Sequence, residues 1–385
     1  MAGVYIHIPF CRQACHYCDF HFSTQLRSVE DMADAIVQEA VLRAQQSPAW
    51  DGATVQTLYL GGGTPSVLPP HTLARLVNGV TQALGIDRSG LTEFTLEANP
   101  EDLDEARIRA WLDLGVQRLS VGVQTFDTPS LRWMNRLHTG EQAREGLARA
   151  HRLGMRALSM DLIYGVPTDR DWRADIAAAL DLPLTHLSAY ALTVEPRTVL
   201  AHRVAQGDVR ETSDDAVAAE YHLLCDALRA RGWHHYETSN WAAPDGADGF
   251  HVARHNSAYW TGTPYLGLGP GAHGFDGKSR YANVANNPAY LRALGRGQLA
   301  ATSETLTDAD RYNESLMTGL RTAAGVRPDD LERAWGLRPD RLEPRTWEQL
   351  LASGSLEALE GGAYRIPERS WITGNAVTSS LFYVP

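Results

Sequence analysis

The chain has 385 residues, with 46 acidic and 35 basic side chains and a net charge of −11. That balance argues against a general nucleic-acid binder, which needs a basic face, and no apolar run approaches the ~20 residues that span a bilayer. Four cysteines in so long a chain, with no basic-then-apolar leader at the N-terminus, point to a reducing cytoplasmic location rather than a disulfide framework.

The apolar run 4–8 reads as a strand. Pro9 ends it, so the next residues lie on a loop. That loop carries Cys11, Cys15 and Cys18 in the spacing CxxxCxxC. Three converging thiolates suit a soft-metal centre, and the cysteines alone leave both an iron–sulfur cluster and zinc open. Zinc would draw its fourth ligand from His7, His16 or His21. On a [4Fe–4S] cluster, three thiolates leave one iron free for another ligand.

Apolar positions at helical spacing predict a helix over 29–44. A strand at 58–60 runs into Gly61-Gly62-Gly63-Thr64-Pro65, whose glycines let the backbone approach a small polar ligand. A helix over 69–84 follows, then a strand over 93–97 ending at Glu97, then a helix over 102–114 stopped by Gly115. Strands at 118–123, 157–164 and 186–192, with helices at 128–137, 140–153 and 171–180, complete six strand–helix units. This alternation predicts a parallel α/β architecture with its site at the strand C-terminal ends, and leaves barrel and doubly wound sheet both open.

Further on, a helix over 214–231 carries Cys225 on its apolar face, where a free cysteine packs as a small hydrophobe. Residues 233–240 alternate like a strand, and 244–249 read as a loop. His255-Asn256-Ser257-Ala258-Tyr259-Trp260 comes next, followed by Gly267-Leu268-Gly269-Pro270-Gly271. No amphipathic helix is expected after Gly271, so a dinucleotide loop is a poor match there. From about residue 305 the chain turns helical, at 308–321, 328–335 and 345–353, with a hairpin expected between 364–366 and 371–373.

Taken in order, CxxxCxxC after Tyr5-Ile6-His7-Ile8-Pro9-Phe10, then GGGTP, then Glu97-Ala98-Asn99-Pro100 resemble the radical S-adenosylmethionine (SAM) superfamily, and within it the HemN/HemW branch. The resemblance implies an α/β fold: a partial (β/α)6 barrel over 1–236, a linking segment over 237–304, and a small, mainly helical C-terminal domain of winged-helix character over 305–385. It implies a [4Fe–4S] cluster on Cys11, Cys15 and Cys18, with Tyr5, Gly62 and Glu97 contacting SAM at the cluster. Tyr17, Gly63, Thr64, Gln124, Arg136 and Asp161 match further SAM-pocket positions.

HNxxYW is similar to the HemW group of haem chaperones. So is Phe20, because the dehydrogenases of the branch carry a further cysteine there, and so is the short run ahead of the cluster. That group implies haem as a third cofactor, with His255 as its iron ligand and His273 as a second candidate. It implies haem-receiving apoproteins as partners and no catalytic residue, and it is compatible with a homodimer and with peripheral contact with membrane haem proteins. The same motifs leave one alternative, an oxygen-independent dehydrogenase acting on coproporphyrinogen III.

Overall fold

Six strands lie side by side in chain order, all parallel. They are β1 (Ala2–Ile8), β2 (Val55–Gly62), β3 (Glu93–Ala98), β4 (Arg118–Gln124), β5 (Ala157–Tyr164) and β6 (His186–Ala191). A doubly wound sheet reverses its strand order near the middle. The plain order excludes that and gives the winding of an open barrel. The structure is a computed structural model and describes residues 2–46, 54–246 and 249–385.

Helices α1 (Val29–Gln46), α2 (Pro70–Ala83), α3 (Glu105–Leu114), α4 (Thr128–Trp133), α5 (Gly140–Arg152) and α6 (Trp172–Leu180) connect the strands. Their ends follow local chemistry. Asp104 caps α3 by accepting from the Arg107 N–H, and Gly115 closes it in the left-handed region. A Thr139–Gln142 capping box starts α5.

The strands have two unlike faces. Ile6, Leu60, Leu96, Val121, Met160 and Leu187 are buried on the helix side in one hydrophobic core. The alternate positions are polar, and the register aligns them. Tyr5 sits beside Tyr59, Tyr59 beside Thr95, and Thr95 beside Arg118. One layer further along the strands, Glu97 sits beside Ser120; beyond that, Gly122 neighbours Asp161, and Asp161 neighbours Ser188. Parallel sheets are usually apolar on both faces, so this inner face is built as a polar lumen.

The segment expected as a link, 237–304, supplies strands to both ends of the sheet. After α7 (Val199–Gln206) and α8 (Asp214–Ala230), β7 (His234–Glu237) and β8 (Asn240–Ala242) extend it antiparallel beyond β6. The chain then forms α9 (Arg254–Trp260) and returns to β1, where β9 (Tyr265–Leu268) pairs parallel with it. Strands β10 (His273–Phe275), β11 (Ser279–Asn283) and β12 (Ala301–Thr305) continue antiparallel, with α10 (Asn287–Leu294) between the last two. The GLGPG segment is the turn between β9 and β10. Buried Glu39 of α1 holds it, accepting from the Gly269 N–H at 2.8 Å and the Tyr290 hydroxyl at 2.6 Å.

From α11 (Asp308–Gly319) onward a second core forms around Tyr312, Leu316, Trp347, Ile366, Trp371 and Leu381. Helices α12 (Pro328–Trp335), α13 (Pro339–Leu342), α14 (Pro344–Ala352) and α15 (Asn375–Ser379) belong to this region. The expected hairpin takes a different partner. Tyr364–Arg365 pairs back with Glu357–Ala358, and Trp371 lies in a 3-10 turn, buried, with its indole N–H donating to the Ile366 carbonyl at 2.7 Å. Burial of the indole outweighs its β propensity. This region is tied to the sheet by the Ala323 N–H donating to the Tyr236 carbonyl at 3.0 Å and by Glu368, 2.9 Å from both Arg229 and His235.

Candidate functional site

β1 runs out at Pro9, and the cysteine loop is pinned at both of its ends. The Cys11 N–H donates to the Ser23 carbonyl at 3.1 Å, and the Ser23 N–H to the Pro9 carbonyl at 2.9 Å. The residues after α4 brace its middle. Gln13 donates to the Asn135 side chain at 2.7 Å, Asn135 donates to the Ala14 carbonyl at 2.7 Å, and the His16 ring bonds the Trp133 carbonyl at 2.8 Å. Asn135 holds a positive φ of 63° to make this turn.

Two side chains address the sulfurs. Thr64 Oγ1 donates to Cys11 Sγ at 3.3 Å, and Arg136 Nη1 to Cys15 Sγ at 3.5 Å. Arg136 is itself fixed by Asn99 Oδ1 at 2.9 Å and the Gly122 carbonyl at 2.6 Å. Burial pushes the Cys11 thiol up to about 11 and the Cys18 thiol up to about 12; a bound metal would oppose this, because a coordinating thiol is deprotonated.

Among the described residues, Cys225, His235 and Glu368 also bring three ligating side chains together away from this loop. Of the histidines open as zinc ligands, His7 has both ring nitrogens engaged, by the Tyr5 hydroxyl and the His21 carbonyl, whereas His16 and His21 have one each engaged, by the Trp133 carbonyl and Asn287.

The lumen opens beside this loop. Glu97 accepts from the Tyr59 hydroxyl at 2.7 Å and the Gly62 N–H at 3.1 Å. Asp161 accepts from Ser120 at 3.3 Å. Gln124, at φ 71°, closes over Gly122 near Arg136 and Asn99. Tyr17 packs with Met134, Ile163 and Val166. The site residues expected from the sequence at the strand ends therefore come together.

Arg118 was missed. It is buried on the floor of the lumen, one guanidinium nitrogen donates to His186 at 3.1 Å, and its Nη1 has no partner among the described residues. Thr95 Oγ1 is a second unpartnered buried atom on this face. Unmet polar groups in a polar lumen fit a polar ligand such as SAM. The signal was present in the sequence: 118, 120, 122 and 124 are Arg, Ser, Gly and Gln, a polar period of two inside an otherwise apolar strand.

Burial pushes the Glu97 carboxyl up to about 7, helped by nearby Asp161 and opposed by the Tyr59 and Gly62 hydrogen bonds. Burial likewise pushes Asp161 up to about 6, with the Arg118 charge opposing. For Glu97 the folded value exceeds the ordinary one, so the fold is penalised as pH rises from about 4.5 through 7, and fully above that. Glu97→Gln is expected to stabilise the metal-free chain by about 2–3 kcal/mol at pH 8 and by little at pH 5, read by urea denaturation. An equal gain at both pH values would mean that Glu97 is not ionising there.

His255 stands elsewhere. Helix α9 sits at the N-terminal ends of the strands, where the Arg254 and His255 N–H groups donate to Glu93 at 2.8 and 3.0 Å. The ring is buried and stacked on Tyr59 at 5.0 Å. Its Nδ1 bonds Thr57 Oγ1 at 2.8 Å and its Nε2 bonds the Tyr259 hydroxyl at 2.9 Å. With both nitrogens engaged, His255 presents no free ligand atom here, and it stands at the end of the barrel opposite the cysteine loop.

A family model of the radical SAM superfamily matches residues 5–180. The heme chaperone HemW of Bacillus subtilis is 32% identical, over 98% of this chain and 98% of its own. Heme chaperone HemW of Escherichia coli is 31% identical over 92% and 91%. Among solved structures, E. coli coproporphyrinogen III oxidase HemN, described as a radical SAM enzyme, aligns with a TM-score of 0.82 at 21% identity, covering 99% of this chain and 90% of that one. At that identity the likeness speaks for the fold.

Proposed function

The chain belongs to the HemW family of the radical SAM superfamily, and from that membership we propose that it binds haem and passes it to haem-dependent apoproteins. The observation that carries the reading is 32% identity to a heme chaperone over 98% of each chain. In this reading Cys11, Cys15 and Cys18 hold a [4Fe–4S] cluster, and Tyr5, Gly62 and Glu97 receive SAM, with Tyr17, Gly63, Thr64, Gln124, Arg136 and Asp161 around it. When bound, such a cluster would supply one-electron reducing chemistry to SAM; the protein contributes ligands, orientation and exclusion of water. Arg136 orients the loop through Cys15, and Glu97 offers its carboxylate to a cationic ligand. Phe20, 66% exposed beside Cys18, provides no fourth thiolate.

No helix among the described residues is long and apolar enough to cross a membrane. The second reading, a coproporphyrinogen III dehydrogenase, draws on the fold match to HemN. One sample separates the two. After anaerobic reconstitution with iron and sulfide, haem is titrated by absorbance, and coproporphyrinogen turnover with SAM and reductant is assayed alongside. Stoichiometric haem binding without protoporphyrinogen formation is expected, whereas turnover without haem binding overturns the chaperone reading.

A further inference from the structure

We propose that the haem sits in the cavity between the two ends of the open sheet, with His273 as its iron ligand and Arg311 and Arg327 receiving its two carboxylates. This rests on the haem-binding reading above and gives it a place.

The cavity measures about 870 Å³, within the range of pockets that enclose a ligand of this size. β7 lines it from one end of the sheet with Tyr236 and Glu237; β9, β10 and β11 line it from the other with Tyr265, His273, Phe275 and Arg280. Helices α11 and α12 close it from the C-terminal region. The last two residues of HNxxYW, Tyr259 and Trp260, are on its wall. Large flat aromatics there suit a flat macrocycle. The motif therefore faces the cavity through its aromatic pair, while His255 holds Tyr259 in place from behind.

Charge in the cavity favours a dianionic ligand. Of the acidic wall residues, Glu314 is paired with Arg280 at 2.8 Å and Asp330 with Arg333 at 3.0 Å. Glu237 is buried and held by the Ser239 N–H at 3.1 Å and by Asn240. Arg311 and Arg327 have no carboxylate partner among the described residues. Arg311 lies over the Trp335 ring at 4.3 Å and the Phe275 ring at 5.1 Å, which keeps its fork at the aromatic wall. Arg311 Nη1 donates to the Gly277 carbonyl; two guanidiniums without a carboxylate partner match two carboxylates, which guanidinium binds with charge-assisted hydrogen bonds.

Three soft donors line the cavity: His234, His273 and Met317. His273 is exposed, and its ring has no hydrogen-bond partner among the described residues. His234 is half-buried and packed on Phe250 at 4.7 Å. Met317, 39% exposed, offers a thioether for a second axial position, and His/Met ligation of haem iron is an established pairing.

The test uses the full-length, cluster-loaded protein and haem titration read by Soret position, spin state and affinity. His273→Ala is expected to shift the Soret band and spin state and to weaken binding by roughly tenfold or more. Arg311→Ala and Arg327→Ala are expected to weaken haem binding severalfold while leaving the weaker binding of haem dimethyl ester unchanged, and His255→Ala to lower affinity at an unchanged Soret position. Iron content and near-ultraviolet circular dichroism of each variant report whether it has folded. Should His273→Ala keep the wild-type spectrum while His255→Ala or His234→Ala changes it, the ligand assignment is overturned and the haem-binding reading stands. If the esters respond to the arginine variants as haem does, the carboxylate assignment is overturned. Absence of haem binding by the unmodified protein sinks the underlying reading itself.

Discussion

Cys15→Ala is expected to strip the chain of its iron while leaving it folded. After anaerobic reconstitution the unmodified protein should carry iron and acid-labile sulfide in a 1:1 ratio, about four of each per chain; the variant should carry near none. The fold survives because Cys15 lies on a loop, half-exposed and outside the hydrophobic core. The loop keeps its Gln13–Asn135 and His16–Trp133 bonds, and Arg136 keeps Asn99 and Gly122. Cys225→Ala makes the opposite contrast. That thiol is buried on α8, so its loss leaves the iron in place and costs stability through the cavity it opens. Were Cys15→Ala to retain a metal with little sulfide, the loop would be a zinc site. In that case His16 or His21, each with only one ring nitrogen bonded elsewhere, would supply the fourth ligand.

Most of the site was legible because ligand chemistry leaves local marks. The cysteine spacing, the glycine run and Glu97 each terminate a strand, and strands ending in polar features are where parallel α/β sites form. Strand order was not legible, since periodicity reports which face is buried but not which neighbour a strand chooses. Arg118 was overlooked because it was read as the start of a strand and not as one member of a polar row with Ser120, Gly122 and Gln124. The role of His255 was not legible for a different reason. A histidine among aromatics reads equally as a ligand or as a packed ring, and only the third dimension reveals Thr57 and Tyr259 on its two nitrogens. The same limit hid β9. Tyr265–Leu268 looks like an isolated apolar run until it pairs with β1, some 260 residues earlier in the chain.

That pairing brings the two ends of the molecule into one contact chain. The Gly62 N–H bonds Glu97, Glu97 accepts from Tyr59, Tyr59 stacks on His255, and His255 bonds Tyr259 on the cavity wall. The polar lumen and the aromatic cavity thus share a wall, and its rings are fixed by hydrogen bonds on both sides.

Gly63→Ala is expected to damage fold and cluster together, unlike any cysteine change. A Cβ at Gly63 would lie 2.6 Å from the Phe10 carbonyl oxygen, 2.8 Å from that of Ile8 and 2.9 Å from the Phe10 nitrogen. All three are backbone atoms of the segment that delivers Cys11, so no rotamer can yield. Two hydrogen bonds lock the approach, Gly63 N–H to the Ile8 carbonyl at 2.9 Å and Thr64 N–H to the Phe10 carbonyl at 2.7 Å. A methyl group must therefore push the end of β1 from the end of β2, carrying Cys11 away from Thr64 and the other sulfurs. Overpacking with no side chain free to move sits at the upper end of its usual cost, about 3 kcal/mol. Denaturant midpoints of the metal-free chain should fall accordingly, and iron incorporation should fall severalfold in the same preparation. Gly90→Ala is the matched control, because a methyl there meets no atom within 4 Å. If Gly63→Ala matched that control in both stability and iron content, the close approach of the glycine run to the cysteine loop would not be what positions Cys11.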